Sequence, residues 1–194
     1  MIVRLLRFEV DGLVSIGRWL LRRPDVPAGA VAVPYAKAQN MLLTVFLIIQ
    51  LVETVGVELL LRGLGVPEVV RTPLLALGVY GTVMVAGMIA SGVVRPHVVS
   101  DAGLRVRLGH YLDVRVPADL IESTGAVRGY ESSLKVDGER LVVPVGSQTN
   151  TRVTLREPIT VTRPLGKRAV VRVIDFYAES PPVPAARAWS APGR

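Results

Sequence analysis

Cysteine is absent from the 194 residues, and histidine occurs only twice, at His97 and His110. The first absence removes disulfides, thiolate metal sites and thiol nucleophiles. The second leaves no way to build an ordinary histidine and cysteine metal centre within one chain, although carboxylates could still hold a hard cation weakly; no metal site and no cofactor are expected. Catalytic signatures are missing too. There is no G-x-S-x-G elbow and no glycine-rich phosphate loop before a helix, and the carboxylates Asp137 and Glu139 flank a turn rather than a pocket. A non-enzymatic protein is the expectation. Aromatic residues make up 5% of the chain, and the net charge of +7 is spread along it rather than gathered into a basic block with interleaved aromatics. That distribution argues against nucleic acid as a partner and for a membrane surface.

Charge is missing in a second sense. Residues 73 to 94, "PLLALGVYGTVMVAGMIASGVV", contain no charged side chain, and residues 42 to 61, "LLTVFLIIQLVETVGVELLL", contain only Glu53 and Glu58. Half of all residues are hydrophobic and the mean hydropathy is +0.43. Each segment has about the length of 20 residues that a helix needs to cross a bilayer. The connection between them, about ten residues, allows only an antiparallel pair, so residues 40 to 94 are expected to be a two-span transmembrane hairpin. The near flanks hold Arg22, Arg23, Lys37, Arg95, Arg105 and Arg107, whereas the connection holds Arg62 and Arg71. By the positive-inside rule this places both termini in the cytoplasm, with the chain multi-pass in the cytoplasmic membrane.

Ahead of the hairpin, residues 1 to 23 carry Arg4, Arg7, Asp11, Ser15, Arg18 and Arg22 at helical steps of three and four, with most of the remaining circumference apolar. Too charged to span, this segment suits an amphipathic helix lying in the headgroup region, with Trp19 at the boundary; packing on the protein's own soluble part is the alternative. Glu9 and Asp11 interrupt any signal-peptide core. Pro24, Pro27 and Pro34 mark residues 24 to 39 as a linker.

From residue 95 to residue 178 the period falls to two. "HVVS" and "LRVRLG" flank a three-residue loop ending in Gly103; "LDVRV" follows, then "PADLIES" as a short helix with proline in its first turn. "SLKV", "LVVPV", "RVTL", "ITVT" and "VVRVIDFY" alternate further, separated by Asp137-Gly138, "GSQTN", Pro158 and "RPLGK". Seven or eight short strands with one early helix imply a twisted sheet or partly open barrel, an α+β domain. The tail, residues 179 to 194, has the composition of a disordered segment. A helical hairpin followed by "HVVSDAGLRVRLGHYLDVRVPADLIES" resembles the bacterial membrane-anchored PH-like proteins over residues 40 to 178. With its "VGSQTN" loop, the chain is similar to a class of small actinobacterial integral membrane proteins of unassigned role. The resemblance implies a cytoplasmic PH-like β domain behind two spans.

Several side chains stand out. Glu53 falls roughly 2 Å from the middle of its span at helical rise, where an ionised carboxylate would cost at least about 2.5 kcal/mol. It is expected to be neutral, paired or facing a wet cavity, bonded to Tyr80 or Thr82 or across an oligomer interface, with Gln50 in the same polar seam; a structural hydrogen bond, a proton or cation relay and a docking group for a partner helix all fit. Glu58 has Arg62 four residues on, the favourable order for an ion pair. Ala86, Gly87, Ala90 and Ser91 form two small-xxx-small pairs that suit helix packing. Arg105, Arg107 and Arg115 share the polar faces of neighbouring strands just beyond the bilayer and form a candidate patch for lipid headgroups or a partner; a solvated face is the alternative. Ser147, Gln148, Thr149 and Asn150 form a polar loop that could grip a ligand or simply turn the chain. Together these features suggest a membrane-anchored binding or scaffolding module with membrane lipids and a membrane protein or a second copy as partners. The alternative is an accessory subunit of a transport or proton-handling assembly that uses Glu53.

Overall fold

The computed structural model describes residues 2–180, without the side chains of residues 2–8 and Leu165. The tail expected from 179 onward lies almost wholly outside the described residues, as do the side chains of Arg4 and Arg7. Three helices precede most of the strands. Helix α1 spans Ile2–Leu20, α2 Lys37–Gly63 and α3 Glu68–Val94. The last two, at 27 residues each, are long and apolar enough to cross a membrane. They extend beyond the segments legible from hydropathy, since Lys37, Glu68 and Arg71 join the helices and only residues 64 to 67 connect them. Gly65, at φ 70°, makes this tight turn possible. Its N–H bonds to the Arg62 carbonyl and that of Val66 to the Leu61 carbonyl, the pairing that closes a helix on a left-handed residue. Pro67 then precedes the first turn of α3.

Helix α1 packs along α3. The contact forms where side chains vanish from both surfaces: a Cβ on Gly87 would lie 3.4 Å from the Gly12 backbone. Helix α2 packs on the other side of α3 in the same way. A Cβ on Gly78 would meet the Thr54 side chain at 2.6 Å, and one on Gly92 would meet the Ala36 Cβ at 3.3 Å.

The β region has two sheets. The first orders β1 (Val31–Val33), β2 (His97–Ser100), β3 (Gly103–Leu108) and β4 (Leu112–Pro117) as an antiparallel meander. The second is built from β5 (Ile121–Tyr130), β6 (Lys135–Asp137), β7 (Arg140–Val143), β8 (Gln148–Thr162) and β9 (Arg168–Phe176), in the order β5-β8-β9-β7-β6 with β7 and β9 parallel. Alternation places Leu104, Val106, Val114 and Val116 of the first sheet and Leu141, Val143, Val153, Ile174 and Phe176 of the second in one buried core. The C-terminal region is therefore β-rich as expected, but it forms two sheets around one core rather than a single twisted sheet or partly open barrel, and among the described residues no helix follows β9.

Three details differ from the sequence reading. The linker contributes β1, which pairs Val31, Ala32 and Val33 with β2. "PADLIES" gives one 3-10 turn, Ala118–Leu120, and then passes straight into β5, which lacks a regular alternation. "RVTL" and "ITVT" are one strand, β8; Pro158 lies within an irregular stretch between Thr154 and Ile159 where the ladder shifts, and the Arg172 guanidinium donates to the Leu155 and Arg156 carbonyls there.

Candidate functional site

On helix α2, residues 50, 54, 57, 58 and 61 fall on one face at helical spacing and meet α3. Together with Glu53 they line a crevice of about 220 Å³, with Leu74, Leu75, Leu77 and Gly78 opposite. Thr54 donates to the Gln50 carbonyl at 2.7 Å, which leaves the Gln50 amide directed at Gly81, 3.6 Å from where a Cβ would stand. The polar seam expected at Gln50 and Glu53 is thus present on α2, and Thr54 belongs to it.

Its expected completion from α3 is not. Tyr80 donates to Glu9 Oε1 at 2.6 Å and Thr82 donates to the Gly78 carbonyl of its own helix at 3.0 Å. The reason is angular. Tyr80 shares the Gly87 face of α3, seven residues on, and that face belongs to α1, whereas α2 takes the Gly78 and Gly81 face. Glu53 makes no hydrogen bond or ion pair among the described residues and lies exposed on the helix surface.

The second acid also takes a different partner. Glu58 binds Arg71 Nη1 at 2.8 Å, across the hairpin, rather than Arg62 on its own helix. Arg71 belongs to α3 because that helix begins earlier than hydropathy suggests, and it is half-buried while Arg62 remains exposed. Along α3 the polar contacts of the helical region thus fall at three levels: Arg71 with Glu58, Tyr80 with Glu9 about 13 Å further on, and Arg95 with Asp11, at 3.6 Å, beyond the helix end.

The small residues do what their spacing suggests. Gly87 and Ser91 are buried with Ala90, and the helix that approaches Gly87 is α1 of the same chain. The Ser91 hydroxyl bonds to the Met88 carbonyl and lies 2.7 Å from where a Cβ on Gly109 would sit, so this end of α3 also meets the first sheet. Ala86 stays half-buried.

The arginine patch comes apart. Arg105 grips Asp113 through two hydrogen bonds, which raise its pKa. Arg115 is exposed. Arg107 is 1% exposed, covered by the chain that leaves α1: it donates to the Asp25 carbonyl at 2.7 Å, and its Nη2 lies 3.2 Å from the Asp25 carboxylate. It therefore cannot reach lipid. Burial by itself would raise the Asp25 carboxyl, but the pull of Arg107 and of Arg18, at 3.1 Å, outweighs it and leaves the pKa lowered. No feature of the sequence marked Asp25 as the partner, because the linker's prolines suggested only an irregular segment.

Beneath Arg107 lies a buried aromatic stack. The backbone N–H of Arg107 donates to His97 Nδ1 at 3.0 Å, which fixes the proton on Nε2, 2.9 Å from the Tyr177 carbonyl. The ring stacks on Tyr35 and meets Phe176 edge-on. Burial pushes the His97 pKa down to about 4 and the Tyr35 phenol up to about 12. His97 is neutral structural packing, not a base.

The polar loop is also structural. Gly146 and Ser147, at φ 57° and 61°, make the two-residue turn from Val145 to Gln148. Asn150 bonds with both backbone groups of Ala178, donating to its carbonyl at 2.6 Å and accepting from its N–H at 2.9 Å. Thr149 is buried and Gln148 exposed. On the outer face of the second sheet, Asp175 is fully buried between Arg140 and Arg152, a cluster for which alternation gave no warning. No group of three or more metal-ligating side chains occurs among the described residues. No family model matches the chain, and no curated protein and no solved structure matches it.

Proposed function

We propose that this protein is a non-enzymatic, membrane-anchored binding or scaffolding module: a two-span hairpin in the cytoplasmic membrane, C-terminus inside, presenting a PH-like β domain to the cytoplasm. The observation that supports this reading is the state of α2. It has no buried residue in 27, and Met41, Leu42, Phe46, Ile49, Val52, Leu59 and Leu60 are all exposed. An apolar surface of that extent needs hydrocarbon or a partner helix around it. The β domain is joined to the hairpin base through Asp25, which meets Arg107 of β3 and donates its N–H to the Val94 carbonyl at the end of α3, so whatever docks on the hairpin holds that domain in place at the inner leaflet. The test is affinity purification from membranes in mild detergent. A membrane protein should co-purify, and should be lost when α2 and α3 are replaced by an unrelated hairpin. A chain that is freely soluble without detergent would contradict the reading.

A second reading, an accessory subunit of a transport or proton-handling assembly, draws on the succession of Asp11 with Arg95, Glu9 with Tyr80, Glu53 beside Gln50, and Glu58 with Arg71. Two spans cannot enclose a path, so this reading requires an oligomer. Cross-linking in membranes that yields only monomer and no partner rules it out.

A further inference from the structure

We propose that α1 is a further membrane-crossing helix beside the hairpin: it runs through the bilayer along α3, its outward face meets acyl chains, and its first residues lie on the side of the membrane opposite the β domain. This rests on the reading above, since depth is counted along α3 as a span.

One observation is which side of α1 faces its own protein. Gly12 backs onto Gly87, and Ser15 is fully buried with its hydroxyl turned to the Asp11 carbonyl. The side facing away holds Val10, Leu13 and Val14, each about half exposed, and Leu20 continues that stripe at helical spacing. An amphipathic helix that packs on its own protein in water does the reverse and turns its aliphatic stripe to the core. Small residues inward and aliphatic residues outward suit a helix surrounded by hydrocarbon. The charges of α1 agree. Glu9 accepts from Tyr80, Asp11 meets Arg95 and Arg18 meets Asp25, so among the described side chains of this helix every charged group has a partner.

The other observation is depth. Contacts between the two helices advance in step: Glu9 with Tyr80, Gly12 with Gly87 and, just past α1, the Asp25 N–H with the Val94 carbonyl. Helix α1 therefore runs parallel to α3, from the level of the α2–α3 turn towards the β domain. Gly87 stands seven residues, about 10 Å, from the end of α3 at Val94, and the ten residues from Gly12 back to Ile2 add about 15 Å. The start of α1 thus lies about 25 Å from the cytoplasmic end of the spans, in a hydrocarbon layer about 30 Å thick. A helix so placed does not lie flat among headgroups. Arg4 and Arg7 occupy its first two turns, near the end from which long side chains snorkel to the surface. The course of the chain fits three crossings, inward through α1, outward through α2 and inward again through α3 into the β domain. The charge count that set both termini in the cytoplasm took residues 1 to 23 as a flank, and with α1 in the membrane it constrains the C-terminal side alone.

The chain contains no cysteine, so a single introduced cysteine reports without background. The full-length protein in its native membranes is treated, from one face or the other, with a maleimide that cannot cross the bilayer. Leu64→Cys, in the turn between α2 and α3, marks the outer face, and Tyr130→Cys, exposed on the β domain, marks the inner one. A cysteine in a short polar extension ahead of Met1 should label from the same face as Leu64→Cys. Leu13→Cys should react at least about tenfold more slowly than either marker until detergent is added, because a thiol in hydrocarbon does not ionise. Labelling of the extension from the Tyr130→Cys face or from neither, or rapid labelling of Leu13→Cys in intact membranes, would overturn the proposal and leave the hairpin standing. Leu64→Cys and Tyr130→Cys labelled from one and the same face would defeat the membrane reading as well.

Discussion

His97 carries the most informative chemistry of any single residue. Sequence alone could count it and exclude it from a metal site, but the bonds that hold it are made to Tyr177 and Arg107, which no local pattern reveals. Its folded pKa, near 4, lies below the ordinary value of 6.5. Between these two values the unfolded chain binds the proton and the folded chain does not. Stability is therefore complete above about pH 6.5 and falls as the pH drops towards 4, by an amount on the order of 3 kcal/mol. Thermal unfolding of the full-length protein in detergent should show a midpoint that declines across this window. His97→Gln, able to donate at one end and accept at the other, should flatten much of the slope. Some slope remains from His110, whose pKa burial also lowers.

At the level of elements, the two long helices were legible because each carries an apolar run of some twenty residues, in which the only charged side chains are Glu53 and Glu58 of the first. Their ends were not, since Lys37, Glu68 and Arg71 are polar residues whose inclusion depends on the turn at Gly65. The crevice was half legible. Periodicity put Gln50 near Glu53, yet the facing residues of α3 were counted by depth, and depth does not say which side of a helix a residue occupies. Gly78 rather than Tyr80 faces α2, because only glycine leaves room for Thr54, while Thr82, one turn beyond Gly78, bonds its hydroxyl to the carbonyl of that residue. Adding one methyl group tests this. Gly78→Ala should destabilise the helix pair by about 1–3 kcal/mol through overpacking. Thr54→Ala, which removes two of the three close atoms, should restore part of that loss when combined with it. A double-mutant cycle read by unfolding in detergent measures the coupling, and additive effects would mean the two sites do not touch.

Across the whole molecule, the helices and the β domain are joined by charge. Arg107 leaves its strand on the outer face of the first sheet and is sealed by Asp25, which also holds Arg18 of α1, while Arg95 at the end of α3 reaches Asp11. The backbone reinforces this, with the Asp25 N–H donating to the Val94 carbonyl at 2.7 Å. Alternation identified Arg107 as outward-facing and so as a candidate for lipid. What it could not include is the segment after α1 returning to cover that face, a contact 82 residues apart in sequence. A buried cation deprived of its counter-charge is costly, about 3–5 kcal/mol when one partner of a buried pair is removed, and the solvent exposure of Asp25 places the expected loss at or below the bottom of that range. Asp25→Asn should loosen the segment between α1 and β1 without unfolding the sandwich, whose core residues lie on the other side of the sheet. Limited proteolysis should then cut at residues 22–30 several times faster than in the unmodified chain, with the β domain still protected. Arg107→Met, which fills the same space without a charge to strand, should leave the sandwich intact and loosen the segment less than Asp25→Asn does. Equal cutting in both variants would mean that the hydrogen bond to the Asp25 carbonyl, which Asn preserves and Met abolishes, contributes as much to the junction as the charge.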